Sequence, residues 1–312
     1  MRYPSLDMAR GFAIAVMLFI NILTFLAADL PLFLKHNQPT VLPADLIAPL
    51  FQFIMGASLV ISVNRRKLRG EPVWQHVLRR AVLLTLLGFV LIGSLFGFEK
   101  TEWGFLQSLG VGLLLAFLSL TLPVPLRMTA ALAVLGGYAA ASRLFPEFAY
   151  YANISNYGGP LSAIGYGTIA VFGTVAGEWL YRGKEKIKQY VGTGFVLVVL
   201  SLLLSLIVPL NRLESSATYM LFSTGFSFLI TAVFYILGEK KKIDIKLLSL
   251  LGRNSLLLWT AQYIIVYLPI LYILGGCCFM VWWTAIAATF LFLPLFYVIA
   301  DVADWKGIRL PI

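Results

Sequence analysis

Apolar runs of about 20 residues recur from one end of this chain to the other, and each is long enough to cross a hydrocarbon layer as a helix. No other feature constrains the fold as strongly. A chain in lipid must satisfy its backbone polar groups internally, so the spanning elements are either helices or a closed barrel. The runs are too long for barrel strands and lack their two-residue alternation, which leaves helices. Composition agrees: 60% of the 312 residues are hydrophobic, 12% are charged and the mean hydropathy is +0.89. Soluble domains carry about twice that charge. A soluble enzyme, a tethered catalytic domain and a disordered chain are thereby excluded.

The hydropathy pattern predicts ten spans, at 10–30, 45–63, 79–97, 105–122, 128–144, 162–181, 190–210, 218–238, 250–274 and 277–300. The expected fold is an all-α, polytopic membrane bundle forming a single transmembrane domain over residues 1–312. Ten spans return both termini to one side. Twenty of the 24 basic residues fall on that side, among them Arg65, Arg66, Lys67, Arg69, Arg79 and Arg80. Only Lys35, Lys100, Arg143 and Arg212 fall on the other. The positive-inside rule makes the basic side, and both termini, cytoplasmic, so the expected location is the plasma (cytoplasmic) membrane. The net charge of +10 is then a topology signal and calls for no nucleic-acid partner. Cys277 and Cys278 are adjacent and fit neither a metal-ligand pattern nor a disulfide framework. Ala27-Ala28 follows the first apolar run, but the run is long for a leader and Asp7 precedes it, so the first span is expected to be retained.

Polar residues inside such spans are functional candidates because lipid cannot solvate them. Asn21 closes the first span in Phe19-Ile-Asn21, and His36 follows in the first external connection. The second span opens with Asp45, and positions 45, 49, 52 and 56 place Asp45, Pro49, Gln52 and Gly56 on one helical face. Such a stripe faces protein or water. Imidazole titrates near pH 6.5, a carboxylate can orient it, and an amide can donate to a developing oxyanion. Asn21, His36 and Asp45 are therefore candidates for an acyl-transfer site near the external leaflet. A packing hydrogen bond for Asn21 and plain solvation for His36 are the bland readings. On the cytoplasmic side Asp7 and Arg10 mark the entrance to the first span, and Arg79-Arg80 that of the third. Guanidinium groups gathered there suit a polyphosphate, or simply anionic membrane lipid. No P-loop, dinucleotide fingerprint, metal-ligand cluster or serine-esterase motif occurs.

Ser5-Leu-Asp7-Met-Ala-Arg10-Gly11, followed by an apolar run ending in Asn21, resembles the opening of the heparan-alpha-glucosaminide N-acetyltransferase family of transmembrane acyltransferases. The resemblance continues through Lys35-His36, Ala44-Asp45-Leu and Phe53-Ile-Met-Gly56. Weaker blocks follow in family order: Arg80, Leu106-Gln107-Ser-Leu-Gly110, Gly173-Thr-Val-Ala-Gly177 and Gly252-Arg-Asn254-Ser255. The resemblance implies that His36 is catalytic and Asn21 lies in the active site. It implies acetyl-CoA as donor from the cytosol, an amino sugar or other sugar as external acceptor, and a homodimer. Asp7, Arg10, Arg80, Gln107 and Asn254 become the candidates for the CoA side. The sequence departs from the family at Ser108, at Asn156-Tyr-Gly-Gly159, and at Trp259 and Gln262, where a tyrosine and a histidine are common.

The expected function is thus His-dependent acetyl transfer from cytosolic acetyl-CoA to an extracytoplasmic sugar, with no metal. Direct attack and an acetyl-histidine relay both remain open. The rival readings are a transporter or flippase of a small polar or lipid-linked solute, and a catalytically silent scaffold. An inverted repeat would favour the transporter, and none is evident.

Overall fold

The computed structural model describes residues 3–36, 38–98, 102–155, 158–183, 186–273 and 275–308, the side chain of Phe96 excepted. Arg2, Lys100, Lys184 and Arg309 of the charge tally, and Asn156 and Tyr157 of the weakest block, lie outside these residues. The described chain is helical, with isolated β-bridges only at Ala27–Met280 and Ser155–Gly158.

The helices are α1 (Pro4–Leu26), α2 (Ile47–Leu68), α3 (Val73–Phe96), α4 (Phe105–Ser119), α5 (Val124–Leu144), α6 (Pro146–Ala152) and α7 (Ser162–Tyr181). They continue with α8 (Ile187–Leu204), α9 (Ala217–Tyr235), α10 (Lys246–Arg253), α11 (Ser255–Gln262), α12 (Leu268–Ile273) and α13 (Trp282–Trp305). A 3-10 turn, Pro43–Leu46, leads into α2, and a π turn, Tyr263–Tyr267, joins α11 to α12 as one span. Eight spans are long and apolar enough to cross a membrane among the described residues. The shorter α4 and the glycine-rich α7 bring the set to the ten predicted positions. This is a polytopic helical membrane bundle.

Contacts at the two ends fix the alternation. At the basic end, Ser5 of α1 donates to Glu239 beyond α9 at 2.9 Å, Arg127 of α5 pairs with Glu178 of α7 at 2.8 Å, and Arg253 pairs with Asp304 of α13 at 2.7 Å. At the opposite end, the Tyr219 hydroxyl of α9 donates to the Asp45 carbonyl at 2.6 Å, and Tyr138 of α5 donates to the Ser215 carbonyl at 3.1 Å. Both ends of the described chain lie at the basic end.

Several helices overrun their predicted limits there: α1 begins at Pro4 rather than 10, α3 at Val73 rather than 79, and α13 ends at Trp305 rather than 300. Hydropathy stops at the first charges, whereas the helix continues while Arg and Lys stems lie along it and their heads reach water. Pro4 suits the first turn of α1, where its missing N–H would have no partner in the helix. α6 and α10, too short or too polar to register as apolar runs, are additions.

Glycines set the closest approaches. A Cβ on Gly56 of α2 would lie 2.0 Å from the Ala170 carbonyl oxygen of α7, and one on Gly173 of α7 the same 2.0 Å from that of Phe53. Small residues of this kind let membrane helices pack backbone to backbone. Gly11 and Gly252 join α1 to α10 in the same way. α2 lies between two apolar cores, its Leu50 and Ile54 facing one and its Phe53 the other, which Leu46 of the preceding turn also joins.

Candidate active site

At the end away from the basic residues, α1, α2, α4, α7, α9 and α11 enclose a pocket whose walls include Asn21, His36, Asp45, Tyr166, Arg212 and Trp259. The three residues expected to act together, Asn21, His36 and Asp45, all reach this one pocket. Of the stripe read on the second span, Asp45, Pro49 and Gln52 line it, while Gly56 turns to α7.

Asp45 is 5% exposed and sits at the entrance to α2. Its carboxylate accepts the Leu42 backbone N–H at 3.0 Å, which caps the 3-10 turn. The other carboxylate oxygen is 3.9 Å from Nε of Arg212, from the connection before α9. The Arg212 guanidinium in turn lies 5.6 Å over the Tyr219 ring, an arrangement that attracts a cation to an aromatic face. Asp45, Arg212 and Tyr219 thus tie the start of α2 to the start of α9.

His36 lies in the connection between α1 and α2, with Nδ1 3.2 Å from Oγ1 of Thr24. Burial lowers its pKa from the ordinary 6.5; the Asp45 charge pulls it up and the Arg212 charge pushes it further down. The imidazole is therefore neutral at pH 7, with a lone pair free to take a proton. Asn21 of α1 donates through Nδ2 to Gln262 of α11 at 3.5 Å.

A second chamber opens at the basic end, walled by Arg10, Arg80, Arg253, Ser58, Asn254 and neighbouring apolar groups. Arg10 donates to the Ser58 hydroxyl at 2.6 Å and lies 4.0 Å from Asp7. The buried Nε of Arg80 has no hydrogen-bond partner among the described residues. Asn254 lines the chamber but gives both amide hydrogens to backbone, at the Leu250 and Ala300 carbonyls, bracing α10 against α13. Asp7 lies in an adjoining opening with Arg65, Arg66 and Arg69, which shares Arg10 and Ser58 with the chamber. Buried, partly unsatisfied guanidinium groups of this density suit phosphates.

Gln107 departs from the sequence expectation, because it lines neither of these chambers. Its Oε1 is turned toward α3, where a Cβ on Gly88 would be 2.3 Å away, and it borders a small crevice with Leu91 and Tyr263. Its neighbour Ser108 lines the His36 pocket instead. Sequence reading missed Arg212, Tyr219 and Thr24 beside His36, and Ser58 and Arg253 at the basic end. Arg212 alone carried a signal, as one of the few basic residues on the sparsely charged side.

The two chambers succeed one another along the same four helices. α1 passes from Arg10 to Asn21, α2 from Ser58 to Pro49, α4 from Leu109 to Phe105, and α11 from Ser255 to Trp259. Fold and chambers define a polytopic helical membrane protein with a separate chamber toward each end of one bundle.

Comparison with known proteins supplies the family. Residues 2–201 match the family model described as heparan-alpha-glucosaminide N-acetyltransferase, catalytic, and the chain belongs to that family. Two similar proteins are named heparan-alpha-glucosaminide N-acetyltransferase. The one from Mus musculus is 30% identical over 125 residues, and the one from Homo sapiens 31% over 127. Each match covers 35% of this chain and 18% of the relative, so the chain spans under a fifth of the length of these curated relatives.

Proposed function

We propose that the chain is a transmembrane acetyltransferase that takes its acyl group from acetyl-CoA at the basic, cytosolic end and passes it to a sugar, an amino sugar in the first instance, at the His36 end. The observation that carries this is the stacking of the two chambers on the same faces of α1, α2, α4 and α11, arginines at one end and Asn21, His36 and Asp45 at the other. The positive-inside rule supports the orientation, and the names of the relatives support the reaction.

In this reading Arg80, Arg10 and Arg253 hold the phosphates of CoA, Arg80 through an Nε–H left unused among the described residues. Asp7, beside Arg10, orients that guanidinium. The pantetheine arm lies along the bundle and presents the thioester near His36. In the tautomer that donates Nδ1–H to Thr24, Nε2 of His36 carries the lone pair. It takes a proton from the attacking amine as nitrogen bonds to the thioester carbonyl. Asn21 donates to the oxyanion, and the imidazolium returns the proton to the departing CoA sulfur. Atoms balance: acetyl-CoA and amine give amide and free CoA. Asp45 stabilises the transient imidazolium, with Arg212 and Tyr219 holding it in place.

Acetyl transfer from acetyl-CoA to glucosamine by the purified protein, lost in His36→Ala while CoA still binds, is the test. A transporter would tolerate that substitution, and a scaffold would bind no CoA.

A further inference from the structure

The arginine chamber and the His36 pocket abut without meeting. On α2, Phe51 lines the first and Gln52 the second; on α4, Leu109 lines the first and Ser108 the second. Neighbouring residues differ by about 1.5 Å of helix rise but by about 100° in direction, so at this layer of the bundle α2 and α4 each turn one side chain to either chamber. On α11 the change comes between Leu257 and Trp259.

Three aromatic rings from three helices fill that layer. Phe51 of α2 and Phe105 of α4 meet edge to face with centroids 6.2 Å apart. Phe105 and Trp259 of α11 follow at 5.6 Å. Phe51 is a wall of the arginine chamber, while Phe105 and Trp259 are walls of the His36 pocket, so the row faces both. Apart from the indole N–H of Trp259 these rings carry no polar group to hold water across the layer, and a hydrophobic constriction excludes it. Each ring turns on two side-chain torsions, so a passage opens by rotation without moving a helix.

We infer that Phe51, Phe105 and Trp259 form the gate through which the acyl group reaches His36, and that their bulk sets the length of acyl chain that passes. The inference rests on the acyl-transfer reading of the site. A thioester with a two-carbon acyl group is slender enough to slip past rotated rings. Longer chains must be accommodated where the Trp259 indole and the Phe105 ring now stand. The closed row also keeps water and small ions from crossing between the two ends, and keeps the thioester from being hydrolysed before an acceptor is in place.

Two measurements on the full chain in sealed vesicles test the gate. The first compares transfer from acetyl-CoA and butyryl-CoA in wild type, Phe105→Ala, Trp259→Ala and the conservative Trp259→Phe, with CoA binding as the control for folding. The butyryl-to-acetyl ratio of kcat/KM is expected to rise about 10-fold or more in the alanine variants, the discrimination that one or two methylene groups allow, and to stay near wild type in Trp259→Phe. The second needs no catalysis. Val16, on the wall of the His36 pocket, is changed to Cys in a Cys277→Ser, Cys278→Ser background and exposed to a membrane-impermeant methanethiosulfonate from each face. Labelling is expected from the His36 side alone with the native rings, and from both sides once Phe105 or Trp259 is Ala. Labelling from both sides with the native rings overturns the gate, as does an unchanged acyl ratio in an alanine variant that binds CoA. A wild type that transfers no acyl group but shows the change in sidedness sinks the acyltransferase reading and upholds the barrier.

Discussion

Nδ1 of His36 and Oγ1 of Thr24 stand 3.2 Å apart, joining the connection that follows α1 to the last turns of α1 itself. A loop histidine gains a defined ring orientation from this contact, because one nitrogen is held by a helix. Thr24→Val, which keeps the shape and removes the hydroxyl, should lower kcat about 3- to 10-fold, the value of one hydrogen bond, and leave CoA affinity unchanged. Thr24→Ser should restore most of the rate. Steady-state kinetics beside CoA binding check this, and an equal loss in both quantities would point to misfolding.

The charges around His36 give a pH prediction with opposite signs at two positions. Its pKa lies below 6.5, so activity that needs the neutral ring holds at pH 7 and falls only as pH drops through the lowered value. Arg212 depresses that value, and Arg212→Met should move the acid limb of kcat/KM to higher pH. Asp45 raises it, and Asp45→Asn should move the limb to lower pH. Limbs moving in the same direction in both variants would remove His36 as the titrating group.

At the basic end, Arg80→Gln takes away a guanidinium whose buried Nε has no partner among the described residues. Charged hydrogen bonds to phosphate contribute about 1.5–3 kcal/mol, so KM for acetyl-CoA should rise about 10- to 100-fold with kcat little changed. Equilibrium binding of CoA and of dephospho-CoA at two salt concentrations measures this directly.

The α2–α7 contact makes a stability prediction. Gly56→Ala drives a methyl group against the Ala170 carbonyl, from which it would be 2.0 Å away, and should destabilise by about 1–3 kcal/mol or more. Gly136→Ala on α5 meets nothing within 4 Å and should be neutral or slightly stabilising. Thermal unfolding in one detergent, with the two variants side by side, tells them apart.

The sequence revealed what depends on local chemistry. Ten apolar runs were enough for the bundle, because lipid obliges each spanning segment to satisfy its backbone as a helix. Asn21, His36 and Asp45 were legible as polar groups in or beside apolar spans. Arg212 stood out only as a basic residue on the sparsely charged side; its pairing with Asp45 depends on α9 folding back beside α2, a contact across more than 160 positions that no periodicity encodes. The placement of Gln107 outside both chambers was illegible for a related reason. A quarter turn of α4 decides whether Gln107 or Ser108 faces the pocket, and that turn is set by the packing of α4 on α3 and α7, at Gly88 and at Gly112 against Gly167. Helix ends at the basic side were missed because hydropathy registers charge and not hydrogen bonding. The alignment of the two chambers, on which the functional reading depends, is a property of four helices together.

Acetyl transfer to glucosamine by purified wild type and His36→Ala, with CoA binding measured on the same samples, tests the central claim most directly. The account predicts acetylated sugar from wild type, a loss of about 10²- to 10⁴-fold in His36→Ala, and equal CoA affinity in both. Undiminished transfer by His36→Ala would contradict the role given to the histidine, and a wild type that binds no CoA would contradict the reading of the whole site.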